Sequence, residues 1–252
     1  RSEGPTARTS MILTTPLSKS QAVLTVTLEA INKNTMNTWD GQGMTLDMFG
    51  NYVQHGAYYI TKIDYGKTKP FILDIHYAKR MPSITYAFGL YEKNKLIGVI
   101  TYGSPASPSL CVGVAGEEYK HEVLELNRLV LKNNRKNEAS ILISSSFKLL
   151  PKPRIIVSYA DTEQEHTGVV YQATNFMFTG TTKERTDMAS EDGKHSRHNL
   201  GDSNLRKDRS AKHRYIYFLG NKTQRKEYKK KLRYEAKAYP KKESQEHCEV
   251  WR

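Results

Sequence analysis

The residues able to do chemistry concentrate in SYADTEQEHTGVVYQATNF, residues 158–176, where the apolar run Ile155, Ile156, Val157 leads to Asp161, then Gly168 and Tyr171. A carboxylate held in a cleft at a strand end can accept a proton from an amine or bind a metal. It can equally serve as a cap, because Asp161 and Thr162 precede a short helical pattern. Tyr171 projects from that helix as an acid or a ligand-holding group, or packs as an ordinary aromatic. Glu125 and Arg128 stand three apart in EVLELNRLVL, which on a regular strand sends them to opposite faces.

Positioning these groups requires an alternating α/β domain. RIIVSYAD is a short β-branched strand, and open α/β sheets bind ligands at the carboxyl ends of their strands. Before it, YYITKIDY has strand composition, FILDIHYAKRMPS reads as a helix that stops before Pro82, and AFGLYEKNKLIGVITYG reads as a hairpin turning at Lys93, Asn94 and Lys95. From Asn137, a capping residue, Ala139, Leu142, Ile143, Phe147 and Leu150 form one apolar helical stripe ended by Pro151. After GVVYQATNF, the strand FMFTGTT, a polar stretch from Lys183 to Asp208 and the strand KHRYIYFLG close the domain, and KTQRKEYKKKLRY reads as a last basic helix. Upstream, Ser20 to Ile31 fits a helix, and a second begins at Thr45 carrying Leu46, Phe49 and Val53. The expected division is a vector-derived remnant over 1–10, an N-terminal extension over 11–57, a catalytic domain over 58–220 and a basic segment over 221–252.

The 252 residues carry a net charge of +13, and all of it resides in one region: Gly193 to Lys242 holds 17 Lys and Arg against 4 Asp and Glu, 17 − 4 = +13. That asymmetry points to a polyanionic partner contacted by the C-terminal part, against the plainer reading of a solvated basic face. Lys212, His213 and Arg214 open an aromatic strand, while Arg225, Lys226, Lys229, Lys230 and Arg233 recur at helical spacing, which suits phosphate contact with little base readout. His195, Arg197 and His198 are further candidates for reaching DNA. Cys111 and Cys248 lack C-x-x-C spacing, so neither a disulfide framework nor a cysteine zinc site is expected, and a reducing interior fits. No run approaches the ~18 apolar residues of a membrane span.

The strings LDIHYAKRMP, GVITYG, EVLELNRLVL, ISSSFKLLP, IIVSYAD, GVVYQATNF and SAKHRYIYFLG with the later AYPK together resemble the Mom family of bacteriophage DNA-modification proteins, over Tyr58 to Lys242. The resemblance implies an α/β fold like that of the acetyl-coenzyme A dependent N-acyltransferases (GNAT-like), with a mixed central sheet flanked by helices. It implies conversion of adenine in double-stranded DNA to N6-(carbamoylmethyl)adenine, shielding phage DNA from restriction, in the cytoplasm of the bacterial host. It further implies acetyl-CoA or a related acyl donor, with iron as an associated metal. Carried onto this sequence, it favours Asp161, Tyr171, Tyr77 and Arg128 as catalytic residues, His76 with Asp161 as the metal pair, and Ser144 as the helix serine near the coenzyme. The phosphate-binding loop of such folds corresponds here to NNRKNEAS, which has no glycine, leaving Arg135, Lys136 and the N–H groups near Asn137 for phosphate. Modifying N6 inside a duplex requires an extruded base, with Tyr159 and Tyr171 as stacking partners. Two other classes fit the same residues: an ordinary N-acyltransferase acting on protein, RNA or a small amine, and a DNA-binding protein without catalysis.

Overall fold

Two tight turns fix the start of the sheet. The computed structural model describes residues 52–188 and 206–241. Strands β1 (Tyr52–His55) and β2 (Tyr58–Lys62) pair across Gly56, whose φ of +59° lets a two-residue turn close. β3 (Tyr86–Glu92) and β4 (Lys95–Gly103) pair across Lys93 and Asn94, both at positive φ as a two-residue turn matched to strand twist requires. Val53, expected on a helix, lies in β1 instead, because its segment finds β2 two residues away. The Ser20–Ile31 helix, the start of the second one at Thr45 and the His195, Arg197, His198 set fall outside the described residues.

The helix read over FILDIHYAKRMPS is also corrected. Its helical part starts earlier, as α1 (Tyr65–Pro70), continues as a π-helix over Phe71–Ile75 and ends at His76, whose backbone is extended. His76 and Tyr77 therefore stand on the turn after the helix. The sequence reading places no element over 104–122, where the chain forms α2 (Pro108–Ala115) and a 3-10 turn (Glu117–Glu122). That reading is followed closely by β5 (Val123–Leu131), α3 (Glu138–Leu149), β6 (Arg154–Asp161), α4 (Val169–Ala173), β7 (Met177–Thr181), β10 (Lys212–Leu219) and α5 (Lys222–Lys231). The polar stretch contributes a two-stranded ribbon, β8 (Arg185–Met188) with β9 (Arg206–Arg209).

The main sheet has eight strands in the order β1-β2-β3-β4-β5-β6-β10-β7. Every neighbouring pair is antiparallel except β5 and β6, which are parallel. This is the mixed sheet flanked by helices that the sequence implied. One face packs under α3 and α4, burying Phe88, Ile100, Tyr102, Leu126, Leu142, Ile143, Ile156 and Tyr215. On the other face the π-helix covers Ala87, Val99 and Val130, and α2 with α5 covers Val123, Ile155, Val157, Ile216 and Phe218. α5 is polar except at Tyr228, which is buried against Tyr119 and hydrogen-bonds Glu122; its start is fixed by reciprocal bonds between Asn221 and Gln224.

Two features of this sheet make the site. The β5–β6 ladder runs only from Val123–Ile155 to Leu126–Ser158, so beyond that point the two strands part. Also, Asn127 is skipped in the β4–β5 register, where Tyr102 pairs with Leu126 and Thr101 with Arg128. The bulge is held by Thr101 donating to Asn127 Oδ1 at 2.6 Å and Asn127 Nδ2 donating to the Ser83 carbonyl at 2.7 Å. One extra residue reverses the side-chain alternation, so Glu125 and Arg128 project from the same face of the sheet rather than from opposite faces.

Candidate functional site

At the open end of the β5–β6 wedge the chain gathers His76, Tyr77, Glu125, Arg128, Ser158, Asp161, His166 and Tyr171. Their proximity shows in their proton affinities. Burial raises Tyr77, with Asp161 adding to the rise and Arg128 opposing it. Burial raises Glu125 above the ordinary carboxylate range, even though the Ala106 N–H and the cations Arg128, Arg209 and Lys212 favour its charged form. Burial likewise pushes Tyr171 up to about 12, with Ser158 opposing the rise and Tyr77, Glu125 and Tyr215 adding to it. Tyr171 is therefore a protonated phenol at any physiological pH and can donate a proton but not accept one.

Tyr171 is 9% exposed, wedged among Phe176 and Tyr215 near Ser158, which donates to the Leu126 carbonyl at the point where the strands part. Its placement depends on Gly168, at φ +71°, where a Cβ would lie 2.5 Å from the Tyr215 ring. Tyr171 is thus on the wall of the wedge. It is too enclosed to be a stacking partner for a base, and Tyr159 is half-buried; the exposed ring at this place is Tyr77, at 51%.

Arg128 donates from Nη1 to the Asn127 carbonyl and from Nη2 to the Arg80 carbonyl, at 2.6 and 3.0 Å. Its Nε is buried without a hydrogen-bond partner among the described residues. A buried donor left unpaired is costly, so this N–H is a ready partner for an acceptor atom entering the wedge.

Asp161 is 7% exposed and fully engaged. Its Oδ1 accepts from Ser210 and from the Glu163 N–H, and its Oδ2 is ion-paired with Lys212, which the antiparallel β6–β10 register places opposite it. Burial works against the charge, but Lys212, Ser210 and the Glu163 N–H together hold the carboxyl below its ordinary range. Such a group is a weak base. The bonds it makes are those of a staple tying β6 to β10, and its bond from the Glu163 N–H caps the turn that follows the strand.

His76 does not fit a metal ligand in this arrangement. The Ala78 N–H donates to its Nδ1 at 3.0 Å, which leaves the ring proton on Nε2. Burial, with Arg128 and His166 nearby, lowers its pKa to about 4, so the ring is neutral and offers an N–H donor rather than a lone pair. Among the described residues no group of three or more His, Cys, Asp or Glu is placed to hold a metal ion.

In the loop expected to take a coenzyme diphosphate, Arg135 is committed to internal contacts. Asn137 is at the start of α3, but at φ +68° and with no side-chain cap bond. The next residue, Glu138, is 0% exposed and turns its carboxylate back over the helix start, accepting from Arg135 N at 2.9 Å, Arg135 Nε at 2.7 Å and Tyr58 Oη at 3.3 Å. Arg135 Nη2 is paired with Glu92 at 2.7 Å. The Arg135 guanidinium, expected to meet phosphate, is thus engaged by two carboxylates of the fold. Lys136 is exposed. Ser144 donates to the Ile141 carbonyl and, with Asn137, Ser140, Lys148, Lys152 and Arg225, lines a separate surface recess of about 630 Å³.

The remaining basic candidates divide in two. On β10, Lys212 holds Asp161, His213 hydrogen-bonds Thr181, and Arg214 donates to Thr179 with its guanidinium 3.4 Å from the centroid of the Tyr234 ring, so all three are engaged inside the fold. On α5, Arg225, Lys229 and Lys230 are exposed. Sequence reasoning missed Ser158, His166 and Glu138 as site residues. Ser158 and Glu138 have local signals, three residues before Asp161 and three after Arg135; His166 has none, because the Tyr77 ring it meets comes from a distant segment.

The Mom protein family profile matches residues 57–241. Methylcarbamoylase mom of Escherichia phage Mu is 32% identical over 112 residues, covering 42% of this chain and 46% of that protein, so the match spans about half of the relative's length. Among solved structures, the chain is similar to Arabidopsis thaliana NAA60 in complex with a bisubstrate analogue (13% identity, 64% of this chain, 97% of that one, TM-score 0.42). It is also similar to a GNAT-family acetyltransferase of Bacillus cereus (15%, 66% and 100%, TM-score 0.39) and to the ribosomal-protein-S5-alanine acetyltransferase of Vibrio fischeri (12%, 67% and 97%, TM-score 0.41). With the profile covering well over half of its residues, the chain belongs to the Mom protein family.

Proposed function

We propose that this protein modifies adenine in double-stranded DNA, transferring a carbamoylmethyl group to N6 in the manner of the phage Mu relative, and so protects phage DNA from host restriction. The observation that carries the reading is the wedge itself: where two parallel strands part, an unpartnered Arg128 Nε–H, a Glu125 of raised pKa and a protonated Tyr171 border the same gap.

In this site Glu125 takes the proton that N6 sheds as N6 bonds to the methylene carbon and that carbon's bond to its carrier breaks, the departing atom of the carrier taking the Tyr171 proton. Its raised pKa suits that task better than the depressed pKa of Asp161. Arg128 Nε binds an acceptor of the incoming group, Tyr171 donates, and Asp161 positions β6 and the α4 turn. Phosphate contact falls to Arg225, Lys229 and Lys230 on α5, the exposed part of the basic region. Arg135, engaged by Glu138 and Glu92, is a poor fit for a coenzyme diphosphate, and His76, with its proton on Nε2, is a poor fit for iron.

Co-expression with a plasmid, followed by mass spectrometry of its nucleosides, tests the function. Carbamoylmethyl-deoxyadenosine is expected. Unmodified deoxyadenosine from cells containing soluble, folded protein overturns it.

A further inference from the structure

The turn His76–Arg80 is fixed although it is exposed. His76 N donates to the Phe71 carbonyl, Ala78 N to His76 Nδ1 and Lys79 N to the His76 carbonyl, each at 3.0 Å, and Arg128 Nη2 ties the Arg80 carbonyl to β5. On this turn Tyr77 stacks on His76, with ring centroids 4.4 Å apart and planes 27° apart, and meets the edge of His166 at 6.1 Å and 76°. Half of the Tyr77 surface still faces solvent, at the mouth of the wedge, and Lys79 and Arg80 are exposed beside it. An immobilised open aromatic face next to two cations is the combination that holds single nucleotides, by stacking on the base and charge contact with its phosphates.

We propose that this turn is the platform for an extruded nucleotide: the displaced base stacks on Tyr77, His166 buttresses the ring, Lys79 and Arg80 meet the flanking phosphates, and His76 Nε2–H donates to a base nitrogen. The proposal rests on the DNA reading above for its ligand class, but it concerns binding and not the reaction. It also assigns Tyr77 a role carried by its ring rather than its hydroxyl.

The test is fluorescence anisotropy with two labelled strands, a single-stranded oligodeoxyadenylate and an abasic strand of equal length. Tyr77→Ala is expected to weaken oligodeoxyadenylate binding by about ten- to a hundredfold, the range seen when one stacking ring is removed. Binding of the abasic strand is expected to stay unchanged, Tyr77→Phe to keep wild-type affinity for both, and thermal melts to coincide. Equal affinity of Tyr77→Ala and wild type for oligodeoxyadenylate overturns the platform, as does an equal loss on the abasic strand. Nucleoside analysis separates the two proposals: modified adenine with an unaltered Tyr77→Ala affinity sinks the platform alone, and base-dependent binding without modified adenine sinks the reaction alone.

Discussion

Replacing Asp161 with Asn separates a structural staple from a catalytic base. Asn keeps an oxygen for Ser210 and the Glu163 N–H but removes the charge facing Lys212. Losing a charge-assisted hydrogen bond costs about 1.5–3 kcal/mol. Breaking a fully buried ion pair from one side costs about 3–5 kcal/mol, but the Lys212 side chain is 29% exposed and water recovers part of that. We expect about 2–4 kcal/mol in all, and at about 2–4 °C per kcal/mol for a domain of this size, a melting temperature lower by about 4–16 °C. Because the folded carboxyl titrates below its unfolded value of about 3.9, its contribution is present at neutral pH and is lost as pH falls through the folded pKa. The gap between variant and wild type is therefore full at pH 7 and closes in acid. Removing the second charge as well, in Asp161→Asn with Lys212→Met, should recover part of the loss. Thermal melts supply the stability, and nucleoside analysis of plasmid from cells grown well below the variant's melting temperature supplies the activity, expected within a few-fold of wild type. An Asp161→Asn protein that melts with wild type and leaves adenine unmodified would refute the staple and return Asp161 to the chemistry.

Glu125→Gln should be more stable than wild type at pH 8, with the difference vanishing toward pH 4: a carboxyl whose folded pKa is raised loses stability as pH climbs through that pKa, and the amide does not titrate. The same variant should abolish adenine modification; retained modification would remove Glu125 as the base. Tyr171→Phe should cost no more than about 1.5 kcal/mol by melting, since it keeps the ring packed on Phe176 and Tyr215 and removes only a hydroxyl near Ser158, while modification falls much further. Gly168→Ala should destabilise by about 1–3 kcal/mol, from its positive φ and the Tyr215 contact, and a melt unchanged from wild type would contradict the close packing of α4.

Most of the fold was legible along the chain. The hairpin at Lys93–Asn94, the stripe Leu142, Ile143, Phe147, Leu150 on α3 and the β-branched run of β6 are local patterns, set by turn geometry and side-chain period, and each appears where those patterns place it. The site was legible only in part. Tyr77, Arg128, Asp161 and Tyr171 do converge, yet the sequence did not show that Asp161 is spent on Lys212, nor that His76 presents a donor. Those outcomes depend on which residue lies opposite in another strand and on which backbone N–H meets a ring nitrogen.

By itself, the sequence determined the β3–β4 hairpin, the order of β5, α3, β6, α4, β7, β10 and α5, the concentration of positive charge after Gly193 and the identity of the groups available for chemistry. Tertiary structure alone decided which of them face a substrate. The bulge at Asn127 turned Glu125 and Arg128 to one side, the β6–β10 register neutralised Asp161, and the fold of the Arg135–Glu138 loop set a carboxylate at the start of α3. The physical reason is common to the three: proton affinity and hydrogen-bond capacity belong to a side chain's neighbours as much as to its type, and neighbours from distant segments exist only once the chain has folded.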